Sequence, residues 1–85
     1  MRQIKFEYQA LEELEEWVKT NPKTAAKLLD LIQEICKTPF EGKGKPEPLK
    51  HKFKGFWSRR ITDEHRLIYS VSEEFVAIVS CKGHY

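Results

Sequence analysis

Phe56-Trp57-Ser58-Arg59-Arg60-Ile61-Thr62, Arg66-Leu67-Ile68-Tyr69-Ser70-Val71 and Phe75-Val76-Ala77-Ile78-Val79-Ser80-Cys81-Lys82 are three runs rich in β-branched and aromatic residues. Only Asp63-Glu64-His65 and Ser72-Glu73-Glu74 separate them, spacings short enough for tight reversals, so the stretch predicts an antiparallel meander. Alternation along the middle run puts Leu67, Tyr69 and Val71 on one face and Arg66, Ile68 and Ser70 on the other. The more apolar face is expected to lie under helices, leaving Arg66 on the open side.

Upstream of the meander, residues 39–50 mix glycine, proline and charge, which argues against both a helix and a regular central strand. Thr38-Pro39 ends whatever helix precedes it, because proline disfavours helical geometry in the residue before it. Asn21-Pro22 reads as an N-cap and first helical position. Ala25, Leu28, Leu29, Ile32, Ile35 and Cys36 follow at helical spacing. Before that turn, Tyr8, Leu11, Leu14, Trp17 and Val18 recur every three or four positions between Glu7 and Lys19, with Glu12, Glu13, Glu15 and Glu16 on the other side. Two helices joined by so short a turn form an antiparallel hairpin. Gln3-Ile4-Lys5-Phe6 alternates and predicts a short opening strand. The expected fold class is therefore α+β, an N-terminal helical hairpin packed on one face of an antiparallel β-sheet.

A chain of 85 residues with 40% hydrophobic side chains fits one domain, residues 1–85, with a core small enough that a partner or a second copy would add stability. No apolar run resembles a signal peptide or a membrane span, which predicts a cytosolic protein without membrane contact. Cys36 and Cys81 each stand in apolar surroundings and read as small buried hydrophobes, not a disulfide or a zinc pair. Charge is unevenly divided: residues 1–35 carry 5 basic and 7 acidic side chains, residues 36–85 carry 10 and 6. The excess between Lys43 and Arg66, to which Lys45, Lys50, Lys52, Lys54, Arg59 and Arg60 contribute, suits a polyanion or is simply a solvated face.

Cutting RNA without a metal needs a base for the 2′-hydroxyl, an acid for the departing 5′-oxygen and a cation at the phosphate. Glu47, stiffened between Pro46 and Pro48, is the candidate base; its plain alternative is an exposed loop glutamate. The planar guanidinium of Arg66 matches two phosphate oxygens, or else pairs across the turn with Asp63 or Glu64. His84 offers an imidazole, a side chain type able to give a proton near neutral pH, and is the candidate acid, against the alternative of an inert tail. Tyr85 offers a ring to stack on a base. His51 and His65, even with Glu47 and His84, lack metal-site spacing, so neither metal nor cofactor is expected.

Residues 38–50 (Thr-Pro-Phe-Glu-Gly-Lys-Gly-Lys-Pro-Glu-Pro-Leu-Lys), 55–62 (Gly-Phe-Trp-Ser-Arg-Arg-Ile-Thr), Glu64-His65-Arg66-Leu67 and His84-Tyr85 resemble the YoeB family of bacterial toxins within the RelE/ParE superfamily. The resemblance spans essentially the whole chain and implies a microbial-RNase-like fold. It implies an mRNA interferase of a type II toxin-antitoxin system that cleaves mRNA in the A site of the 70S ribosome. A YefM-like antitoxin would neutralise it, and a homodimer and operator DNA contacts made through the antitoxin complex are further implications. By the same resemblance Glu47 is the base, His84 the acid, Arg66 the phosphate stabiliser and Tyr85 an orienting residue. Lys50 and Arg60 would hold the RNA backbone, and Glu64 would position Arg66. The products would be a 2′,3′-cyclic or 3′-phosphate and a 5′-hydroxyl. Lys82-Gly83 stands where family members often carry a bulkier pair, which predicts a looser tail. The competing class is a ParE-like toxin that inhibits a topoisomerase by binding alone. A second competitor is an inert partner that only binds.

Overall fold

The computed structural model describes residues 2–83. It begins with β1 (Gln3–Phe6), followed by α1 (Tyr8–Thr20) and α2 (Pro22–Lys37). After a loop come the two-residue β2 (Glu47–Pro48), a short 3-10 turn at His51–Phe53, and then β3 (Phe56–Arg60), β4 (Arg66–Val71) and β5 (Phe75–Ser80). The strands form one five-stranded sheet in the order β1-β5-β4-β3-β2. The α+β class and the meander are as the sequence predicts. The sheet is mixed, however, because β1 runs parallel to β5, with Ile4 beside Val76 and Phe6 beside Ile78. A parallel neighbour needs a long crossover, not a tight turn. Here the helical hairpin, the loop and three further strands supply the connection.

The second helix starts as its sequence dictates, with Pro22 in its first turn and the Asn21 side chain accepting the Thr24 N–H at 3.2 Å. Its inner face buries Ala25, Leu28, Leu31, Ile32, Ile35 and Cys36 against Leu67, Tyr69, Val76 and Ile78 of the sheet. The first helix departs from its simple stripe. Ala10 and Trp17 are buried and Leu14 packs on the core, whereas Tyr8, Leu11 and Val18 face outward, at 73, 49 and 52% exposure. With Leu14 they line a shallow groove of about 360 Å³. Nor is the acidic side of α1 wholly solvated. The Glu13 carboxylate accepts the Ser80 hydroxyl at 3.0 Å and the Cys81 N–H at 2.8 Å.

Both thiols are buried, as expected of small apolar residues, and burial pushes the Cys81 thiol up to about 12. Among the described residues no helix is long and apolar enough to cross a membrane.

Arg59 corrects the sequence reading. Counted there among the residues of a basic surface strip, it is fully buried on the helix side of β3. Its Nη1 donates to Glu34 Oε1 at 2.6 Å and to the Lys43 carbonyl at 3.1 Å. Its Nη2 donates to the carbonyls of Thr38 at 2.6 Å and Glu41 at 2.9 Å, and its Nε to the Tyr69 hydroxyl at 3.2 Å. The Tyr69 hydroxyl in turn donates to the Pro39 carbonyl at 2.7 Å. A run of residues without regular secondary structure is thus fastened to the sheet by this guanidinium and the Tyr69 hydroxyl. Gly42, at φ 121°, completes the fit, since an added Cβ would stand 2.0 Å from Glu34 Oε1.

A candidate RNA-cleaving cleft

The fastened loop delivers Glu47 to the sheet. Pro46 and Pro48 confine this segment to an edge, where missing N–H groups cost nothing in the ladder, and Glu47 there pairs with Ser58 of β3. Ser58 lies opposite Ile68, and Arg60 opposite Arg66. Side chains of paired residues point to the same face and alternate along each strand. Glu47, Ser58, Arg60 and Arg66 therefore all project from the face opposite the helices.

These four residues, with Gly44, Lys45 and Leu49, line a cleft of about 210 Å³. Arg60 and Arg66 sit directly across from each other, a like-charge pairing that costs stability unless an anion or solvent lies between them. Lys45 adds a third cation, and Glu47 is the one carboxylate of this lining. Among the described residues the Glu47 carboxylate and the Arg60 guanidinium have no hydrogen-bonding partner, so both remain available to a ligand.

Backbone, not side chains, orients Arg66. Its Nη1 donates to the carbonyls of Thr62 at 2.8 Å, His65 at 3.1 Å and Asp63 at 3.3 Å. Neither carboxylate of the turn, Glu64 or Asp63, pairs with it among the described residues. The turn is itself tied by the Thr62 hydroxyl, which accepts the N–H groups of Glu64 and His65 at 3.2 and 3.1 Å. This explains why β3 stops at Arg60, short of Thr62. Lys50 is exposed at the start of the 3-10 turn and is not part of the cleft lining.

His84 and Tyr85 lie outside the described residues. The segment leading to them is anchored at every residue. Cys81 carbonyl accepts the Trp17 indole N–H at 2.8 Å, and Lys82 pairs with Glu16. Gly83 donates its N–H to His65 Nδ1 at 2.8 Å and accepts the Arg66 N–H at 3.0 Å. Gly83 has φ 104°, a conformation that glycine adopts without strain, and the tail beyond it, for which a looser placement was expected, lies outside the described residues.

Sequence reasoning passed over Lys45, Gly44 and Ser58 as members of this cleft. Ser58 was legible in principle, since it alternates with Arg60 on the face that Arg66 was expected to occupy. Among the described residues no three histidine, cysteine, aspartate or glutamate side chains gather in a way that could hold a metal ion.

Toxin YoeB of Escherichia coli K12 is 54% identical over 69 residues, covering 81% of this chain and 82% of the relative. The YoeB dimer from Staphylococcus aureus superposes with a TM-score of 0.92 at 40% identity, covering 99% of this chain and 98% of that one. A YoeB-YefM complex from the same species gives 0.89 at 41% identity, covering 100% and 99%. Residues 6–85 match the model of the YoeB-like toxin of bacterial type II toxin-antitoxin systems. Fold and sequence agree, and the chain belongs to that family of toxins.

Proposed function

We propose that this toxin is a ribosome-dependent endoribonuclease that cleaves mRNA in the A site by metal-independent acid-base chemistry. The observation that carries the reading is the convergence of Glu47, Arg60 and Arg66, from three separate segments, on one cleft whose neighbouring turn also holds Gly83. In this mechanism the Glu47 carboxylate takes the proton of the 2′-hydroxyl, whose oxygen attacks the adjacent phosphorus. Arg66 donates to the non-bridging oxygens as negative charge builds on the pentacoordinate phosphorane, and Arg60 and Lys45 offset the charge of flanking phosphates. His84 delivers a proton to the departing 5′-oxygen. The P–O5′ bond breaks, leaving a 2′,3′-cyclic phosphate and a 5′-hydroxyl. Tyr85 stacks on or orients the substrate, Lys50 holds the RNA backbone beside the cleft, and Glu64 contributes to the electrostatics of the turn.

So few cations bind free RNA weakly, which is why the ribosome is the proposed partner: it supplies an ordered message and additional surface. A YefM-like antitoxin is the proposed inhibitor, with an acidic segment that folds along the basic cleft. The neutralised complex would reach operator DNA through that antitoxin. The outward apolar face of α1 supports a further protein contact, and the S. aureus dimer makes a second copy of the chain the proposed one.

Glu47→Ala and His84→Ala are each expected to lower ribosome-dependent cleavage by at least ~10-fold, the scale of losing a general base or acid. A toxin that works by contact alone, on a topoisomerase or elsewhere, would stay fully toxic with both changes, and that result would reject the enzymatic reading.

A further inference from the structure

We propose that His65 is a positioning residue for the segment that carries His84, acting by accepting the Gly83 amide proton on its Nδ1. The inference rests on the reading above and adds to it a device that aims the acid. Past Ser80 the sheet ladder ends. The direction of the chain at Gly83 is therefore set by side chains and by single hydrogen bonds.

Two bonds flank Gly83. On one side its N–H meets the imidazole of His65 at 2.8 Å, and on the other its carbonyl meets the Arg66 N–H at 3.0 Å. Together they fix both peptide planes of a residue whose φ of 104° would otherwise be one choice among many for glycine. The imidazole is itself held. The Trp17 ring meets it edge to face, with centroids 4.9 Å apart and planes at 83°, and Trp17 is anchored by its own bond to the Cys81 carbonyl. For Nδ1 to accept, the ring proton must sit on Nε2, which fixes the tautomer. The main chain of the same residue serves Arg66: the His65 carbonyl accepts from Nη1 at 3.1 Å and from the N–H of Ile61 at 3.0 Å. One residue thereby links the guanidinium to the approach of the acid, so the two keep a common frame.

A packing role and a positioning role separate in two variants. His65→Phe retains a ring against Trp17 and removes the acceptor, whereas His65→Asn loses the ring and retains an acceptor near the Nδ1 position. Each is compared with the parent in the full chain by message cleavage on programmed ribosomes, by thermal melting and by hydrogen exchange of the Gly83 amide. The expectation is that His65→Phe melts close to the parent, loses Gly83 protection and falls ~10-fold or more in kcat with KM within about threefold, as misaim of a reacting group requires. His65→Asn should restore Gly83 protection and most of kcat even though it melts lower. Parent-like kcat in His65→Phe, or an equal loss in both variants, overturns the proposal. His84→Ala keeps the two readings apart. If that variant cleaves like the parent, the acid assignment fails, while the Gly83 exchange of the His65 variants still decides whether the anchor exists.

Discussion

Arg66→Ala is expected to lower the rate of message cleavage on the ribosome by roughly 10²- to 10³-fold, the range for removing a preorganised donor from a developing oxyanion. Preorganisation is visible in the structure. Three turn carbonyls hold Nη1, leaving Nε and Nη2 without hydrogen-bond partners among the described residues, and the residue lines a cleft shared with Glu47. Such a group needs no reorientation as charge accumulates, so its loss should fall on kcat more than on KM. Arg66→Lys should recover only part of the rate, because an ammonium carries the charge without the planar pair of donors. Because Nη1 also braces the turn, melting of each variant belongs beside the kinetics. A tenfold or smaller loss for Arg66→Ala in a fully folded protein would remove it from the chemistry.

The second large effect concerns stability. Arg59→Met would leave Glu34 without its guanidinium and strip donors from the Thr38, Glu41 and Lys43 carbonyls at once. Breaking a buried pair by removing one partner costs about 3–5 kcal/mol. Glu34 is partly open to solvent, its side chain 27% exposed, so the lower end of that range applies. In a domain of this size that corresponds to a melting point lower by on the order of 10–20 °C. Activity should fall as well, since the loop fastened by Arg59 is the one that presents Glu47. A melting point within ~2 °C of the parent would show that Arg59 does not hold the loop.

Acid should weaken the same joint. The Lys43 N–H, with help from the Arg59 guanidinium and against the effect of burial, holds the Glu34 carboxyl below the ordinary carboxylate range. A group whose pKa is depressed on folding stabilises the fold above its unfolded pKa of about 4.3, and that contribution disappears as pH falls through the lowered folded value. Glu34→Gln is therefore expected to flatten the acid limb of stability in denaturant melts taken from about pH 6 to about pH 2.

Periodicity made much of this molecule legible. The helical spacing of Leu28, Ile32 and Ile35 and the alternation of Leu67 with Tyr69 are direct consequences of which face must be buried, so the hairpin, the meander and the open side for Arg66 could be read from residue order. The direction of β1 could not, because no tight turn joins it to its neighbour and its short alternation is the same either way up. Nor could the division of α1, where Tyr8, Leu11 and Val18 share the periodicity of core residues yet face outward. Periodicity specifies that a stripe exists, not that it is covered by the same chain.

Charge was the least transparent signal. Arg59 and Arg60 are adjacent and alike in sequence, but the pleat sends one into the core to bind loop carbonyls and the other into the cleft. For the same reason the partner of Arg66 was sought among the acidic side chains of its turn, whereas the carbonyls of that turn do the orienting. The roles of Glu47 and His84 were expected from residue chemistry and again from resemblance, and of the two only Glu47 has a location in the described structure, in the lining of the cleft.

The most direct test uses 70S ribosomes programmed with a message in which the nucleotide 5′ to the cut carries hydrogen in place of its 2′-hydroxyl. The account predicts that the toxin leaves this message whole, while the all-ribose control yields one fragment ending in a 2′,3′-cyclic or 3′-phosphate and another beginning with a 5′-hydroxyl. Cutting of the deoxy-substituted message at the control rate would contradict it, because the attacking oxygen would then have to come from somewhere other than the RNA.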